Sequence, residues 1–249
     1  MPTSPVPVEN RPPKRFVTTR WSLILQARAT DTTIARQALD ELCRSYWFPV
    51  YAFMRRQTND IHLAQDWTQG LFASLLADEA LTRLNPERGR FRSFLLAAAR
   101  NFASNERDRN AAQKRGGNTQ ILAVDFSEGE VRLQSLPVSQ LTPELLFEQQ
   151  WALALLERVM NQLRDWYVQA GAIHVFEQLS ATLSNDPSAQ PLRDLAQQLQ
   201  MSEEAVRVAM HRMRKRYRQI LQNEVAQTTS SAEEVQQELA YLLKVLSQR

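Results

Sequence analysis

The sequence predicts an all-α protein: two helical domains joined by a flexible linker, the C-terminal one carrying a helix-turn-helix. Three observations lead there. Apolar residues recur at three- and four-residue spacing in segment after segment, the period of a helix with one buried face, and no stretch alternates with the period of a strand. The breaks in this pattern fall at prolines, glycines and capping residues. Between about residues 116 and 142 the periodicity fades, so the chain divides into a helical region on either side of a connector.

Residues 1–15 are proline-rich with late basic residues and are expected to form a disordered arm. The first domain is placed at 16–115. It opens with a short helix over RWSLILQAR, for which Thr18 or Thr19 is a plausible cap. A longer helix starts at Asp31 or Thr32 and runs to about Tyr46. Pro49 then either kinks it or starts a second helix through VYAFMRRQ, in a region whose clustered aromatics read as core. The next helix, capped by Asn59 or Asp60, has a buried stripe of Ala64, Trp67, Leu71 and Leu75 and a polar line of His62, Asp66 and Gln69. Residues 85–89 form a turn.

The helix that follows, Arg90 to Arg115, carries two stripes. Phe91, Phe94, Leu95, Ala98 and Phe102 fall on one face. Arg100, Arg107 and Lys114 fall seven apart on another, with Arg92 close to that side. Gly116 and Gly117 end it. The linker, 116–142, is acidic in its middle, with a short extended segment anticipated at ILAVDF. The second domain, 143–227, opens with Thr142 as cap and Pro143 in the first turn, followed by an apolar face of Leu156, Val159, Met160, Leu163 and Tyr167. Gly171 marks a break, HVFEQLSATL another helix and SNDPSAQP a loop. Residues 228–249 form an amphipathic tail helix, with Val235, Leu239, Leu242 and Leu246 on one side. This stripe needs burial, either back on the protein or against a regulator.

Net charge is only +3, with a sequence pI of about 9.2, so the location of the cations matters more than their number. Residues 83–115 hold nine Lys/Arg against three acids, and 207–218 hold six and no acid. Two separate basic segments suggest two contacts with one long anion. The single cysteine, Cys43, excludes an intrachain disulfide and a cysteine-rich zinc site and reads as a small buried hydrophobe. The three histidines lack metal spacing, so no metal and no cofactor are expected. No run is long enough to span a membrane, the N-terminal stretch lacks the apolar core of a secretory signal, and the composition suits a reducing cytoplasm.

The segment PLRDLAQQLQMSEEAVRVAMHRMRKRYRQIL gives the helix-turn-helix. Leu192, Leu195, Ala196 and Leu199 form a first short helix, Gln200 and Met201 the turn, and Ser202 the cap of a second helix. Val206, Met210, Met213 and Tyr217 line its inner face, with Arg207, His211, Arg214 and Arg218 opposite. Glu203, Glu204, Arg207 and His211 would lie nearest base edges. Arg212, Arg214, Lys215 and Arg218 would hold phosphates.

In this order the pieces resemble a bacterial RNA polymerase sigma factor of the sigma-70 family, extracytoplasmic-function group. The resemblance covers about residues 35–225 and rests on YWFPVYAFMRR, AQDWTQGLFASLL and FRSFLLAAARNFASNERDR followed by the helix-turn-helix. Phe94 stands where the family commonly has Trp, and Gln200 and Met201 where it has a small residue or Gly. Trp67 replaces an aliphatic, the connectors are longer than in the most compact members, and the tail is an addition.

The resemblance implies a non-enzymatic transcription initiation factor that binds core polymerase, directs it to promoters and assists melting. Asp66, Gln69 and His62 would face the polymerase. Arg92, Arg100, Asn101, Asn105, Arg107, Arg109 and Lys114 would handle the proximal promoter element, including an unstacked base, and the second helix of the helix-turn-helix the distal one. An anti-sigma or other regulator is a further expected kind of partner, a membrane is not, and the acidic linker would thread the polymerase cleft. A stand-alone helix-turn-helix regulator explains only residues 190–222. A helical interaction protein with incidental basic faces leaves both basic segments unused. No nucleophile elbow, metal triad or paired-carboxylate setting points to an enzyme.

Overall fold

The computed structural model describes residues 32–76, 90–112, 125–134, 136, 141–183, 190–229 and 231–248. Among these, ten α-helices and a 3₁₀ turn account for nearly all the backbone, and no strand is present. The fold is all-α. The arm, the first short helix, the turn at 85–89, Lys114, the glycines at 116–117 and most of ILAVDF lie outside the described residues.

The described chain divides into two compact units, one of residues 32–154 with 225–248 and one of residues 155–224. These bounds differ from the domains expected from sequence. The first part of the helix beginning at Pro143, the connector helix and the tail all belong with the first unit.

In the first unit, α1 (Thr32–Ser45) and α2 (Trp47–Gln57) are separate helices. The break falls at Tyr46, with φ −125° and ψ 28°, and not at Pro49. Pro49 sits in the first turn of α2, where a missing N–H costs no helical hydrogen bond. Asp60 caps α3 (Ile61–Leu76): its Oδ1 accepts from the backbone N–H groups of His62 and Leu63 at 2.8 and 3.1 Å. Ala64, Trp67, Leu71 and Leu75 are buried as their spacing predicts. α4 (Phe91–Ala112) buries Phe91, Phe94 and Leu95. Its first N–H, that of Phe91, donates to the carbonyl of Thr228 at 2.9 Å.

Within the expected linker lies a helix, α5 (Phe126–Gln134), packed on α2. Gly129 makes this approach possible, since a Cβ there would lie 2.9 Å from the Trp47 ring. Tyr51 Oη and Arg55 Nε each donate to Glu130 Oε1 at 2.6 Å, and the Arg132 guanidinium lies 4.3 Å from the centre of the Phe48 ring. Burial pushes the Glu130 carboxyl up, but the hydrogen bonds from Arg55 and Tyr51 and the charge of Arg55 outweigh it and hold the group below its ordinary value. A depressed carboxylate stabilises at neutral pH and loses that contribution as pH falls through the lowered value. Replacing Glu130 by alanine is expected to loosen α5 by about 2 kcal/mol, roughly a thirtyfold rise in amide exchange over residues 126–134. Unchanged exchange there would mean that the aromatic contacts alone hold the helix.

The start of α6 (Pro143–Gln169) follows the expected pattern, with the backbone N–H of Leu145 donating to Thr142 Oγ1 at 3.2 Å. Its opening turns enter the first core, where Trp151 stacks on Tyr46 with centroids 3.8 Å apart and contacts Phe91 and Phe147. The tail is α10 (Ala232–Ser247), capped by Ser231, whose Oγ accepts from the N–H of Glu234 at 3.3 Å. Val235, Leu242 and Val245 are buried. Leu239 and Leu246 are half-buried, so the apolar stripe of the tail is covered in part within the chain.

The second unit contains the rest of α6, α7 (Ile173–Leu179), a 3₁₀ turn (Ser180–Leu183), α8 (Leu192–Gln198) and α9 (Glu203–Ala226) up to Glu224. Its core joins Val159, Leu163 and Tyr167 of α6 to Val175, Phe176 and Leu179 of α7 and Leu195, Val206, Ala209 and Met213 of α8 and α9. Two of its turns share one hydrogen-bond pattern. After α6, Gly171 adopts φ +66°, the Gly171 N–H donates to the Val168 carbonyl and that of Ala172 to Tyr167. After α8, Gln200 takes φ +53°, its N–H donates to Gln197 and that of Met201 to Ala196. Both are Schellman caps, a conformation that favours glycine. Gln200→Gly should therefore stabilise this unit by up to about 1 kcal/mol, read from denaturant midpoints. A lower midpoint would show that the glutamine side chain holds the turn.

Candidate nucleic-acid interface

The four-residue turn after α8 aims α9 so that one side closes the core and the other faces outward. Ser202 Oγ accepts from the N–H of Ala205 at 3.2 Å, fixing the first turn. Val206, Ala209 and Met213 point inward. Glu203, Glu204, Arg207, His211, Arg212, Arg214, Lys215 and Arg218 are all exposed. The eight residues expected from sequence therefore share one accessible surface on one helix. Arg207 lies 3.5 Å from Glu203 across one turn, an exposed pair that contributes little to stability. Arg214 donates to the carbonyl of Thr182 at 3.0 Å. Arg216 turns the other way and lies 4.9 Å from the centre of the Trp166 ring.

In the first unit, Arg100, Asn101, Asn105, Arg107 and Arg109 of α4 are exposed. Their cations are partly engaged. Arg100 pairs with Glu144 at 3.2 Å, Arg109 with Glu106 at 2.8 Å, and Arg107 donates to the carbonyl of Ala103. Exposed pairs of this kind are readily exchanged for phosphate.

Arg92 does not belong to this surface, which corrects the sequence expectation. It is 4% exposed and lies between two carboxylates. Its Nε and Nη2 reach both oxygens of Glu238 in α10, at 2.6 and 3.3 Å, and its Nη1 donates to Glu148 of α6. The ring of Tyr241 covers the guanidinium at 4.2 Å, and Arg90 adds a 3.0 Å bond to Glu238. Burial alone would lower the Arg92 pKa, but the hydrogen bond and charge of Glu238, with the charge of Glu148, hold it above its ordinary value. At Glu148 burial wins and pushes the carboxyl up against the pull of Arg92. The sequence carried a signal for this. Arg92 lies on one helical line with Leu96, Ala99 and Ala103, all buried. Glu148, Glu238 and Tyr241 were not anticipated, being separated from Arg92 by 56 residues or more.

The polar line of α3 is also divided. His62 and Asp66 are exposed, whereas Gln69 is 6% exposed and lies on a line with buried Phe72 and Leu76. Two of the three residues expected to dock a polymerase are thus at the surface and the third is in the core. Among the described residues no helix is long and apolar enough to cross a membrane, and no group of three His, Cys, Asp or Glu side chains is placed to hold a metal ion. Comparison with protein-family models, curated proteins and solved structures yields no match to this chain.

Proposed function

We propose that this chain is a transcription initiation factor of the sigma-70 kind, which binds bacterial core RNA polymerase in the cytoplasm, directs it to promoters and assists their melting. The observation that carries this reading is the outward face of α9, where cations and capping-end acids share one exposed surface behind a tight turn. Such a helix fits the major groove, its early residues at base edges and its later cations on phosphates. The exposed Arg100, Asn101, Asn105, Arg107 and Arg109 of α4 offer a second contact for the proximal element. Two modest contacts on one chain give avidity once a polymerase holds both. No nucleotide hydrolysis enters this scheme, since binding energy at α4 would offset the few kcal/mol needed to unstack a base.

Reconstitution with bacterial core polymerase and a promoter library tests the proposal. The chain should co-purify with core, and Asp66→Lys should weaken that association by about tenfold or more while leaving the fold intact. Absence of co-purification would refute the initiation-factor reading. Burial of Gln69 favours a second reading, a DNA-binding regulator that works without polymerase. Tight sequence-specific binding by the chain alone would support it.

A further inference from the structure

One residue on the outward side of α9 does not suit a surface that only holds phosphates. Val208 is 45% exposed. Glu204 lies one turn before it and His211 and Arg212 one turn after, all exposed. Its methyls are outside the inner line of Val206, Ala209 and Met213. A β-branched side chain also has a lower helix propensity than the Arg and Lys at neighbouring outward positions. A single exposed valine is common and by itself carries no message. What distinguishes this one is its setting, beside a run of six Lys/Arg without an acid over residues 207–218.

A polyanion that also presents an apolar group at the second turn of the helix would match that surface. The major groove of duplex DNA does so at the C5-methyl of thymine. Val208 is the sixth residue of α9, within the part of a second helix that reaches base edges. We infer that Val208 is a specificity-determining residue that packs against a thymine methyl in the distal half of the promoter. This rests on the reading of the chain as a promoter-binding factor and deepens it by naming one base.

The test begins with promoters selected from a randomised library by the full chain bound to core polymerase. Each thymine of the selected distal element is then replaced by uracil, which removes the methyl and keeps the hydrogen-bonding edges. At one position uracil should weaken binding on the order of fourfold, the value of one buried methyl. Val208→Ala should weaken binding to the thymine promoter by a similar factor and abolish the uracil effect at that position. Val168→Ala, at a comparably exposed valine of α6, should keep the wild-type response. A selected element without a distal thymine, tolerance of uracil at every distal thymine, or an undiminished uracil penalty in Val208→Ala would overturn the inference and leave promoter binding standing. Failure to select any promoter would overturn both together.

Discussion

Replacing Arg92 by alanine is expected to cost about 3–5 kcal/mol of unfolding free energy. The cause is less the loss of attraction than what is left behind. Glu148 is 7% exposed and Glu238 1%, so two carboxylates would remain in a dry site, one of them still paired with Arg90. Replacing Arg92, Glu148 and Glu238 together by apolar residues of similar volume should recover much of the loss, since no buried carboxylate would then be stranded and Arg90, which is partly exposed, keeps its bond to Gln237. Denaturant midpoints measure both variants. Cys43 offers a local check, because its thiol is fully buried and burial pushes its pKa well above the ordinary value. It should react with thiol reagents only when this unit opens, faster in Arg92→Ala and slower again in the apolar triple variant. Equal losses in the single and triple variants would mean that the network contributes by pairing and not by avoiding stranded charge.

On the proposed reading of the chain as a promoter-binding factor, neutralising Arg207, Lys215 and Arg218 together is expected to lower promoter affinity of its complex with core polymerase by roughly a hundredfold at about 0.15 M salt. The three side chains are exposed on one face of α9 and the core does not depend on them. If each holds one phosphate, the salt dependence should flatten by about 2.7 in the slope of log K against log salt. A loss of affinity with an unchanged slope would move these residues from phosphates to base edges. No loss at all would remove α9 from the interface. The same substitutions should leave association with core polymerase intact, which separates DNA contact from misfolding.

Helices with a single apolar stripe were legible in the sequence because local spacing decides them. The caps at Asp60, Thr142 and Ser202 and the turn at Gln200 and Met201 follow from side chains that reach only two or three residues along the chain. The outward set on α9 was legible for the same reason, its accessible face being what remains once Val206 and Met213 are placed inside. α5 escaped notice because its nine residues include a glycine and no apolar stripe, and contact with α2 holds it there. Arg92 and Gln69 were misplaced because each has polar character on a helical line that is otherwise buried. For Arg92 the compensating charges come from distant sequence, which no local window contains. The docking of the tail was open for a related reason: its stripe shows that a partner is needed but not which one.

The pairing of Arg92 with Glu238 spans 146 residues, and the unit it closes is interrupted by the whole of residues 155–224. A ribosome releases these pieces in order. The inserted unit is complete and can fold while α10 is still unmade, whereas Arg92 must wait for its second carboxylate until the chain has been extended past residue 238. During that interval Val235, Leu242 and Val245 are missing from the first core as well. Nascent chains arrested before α10 leaves the exit tunnel should therefore hold a protease-resistant segment at 155–224 beside a first unit that is still cleavable.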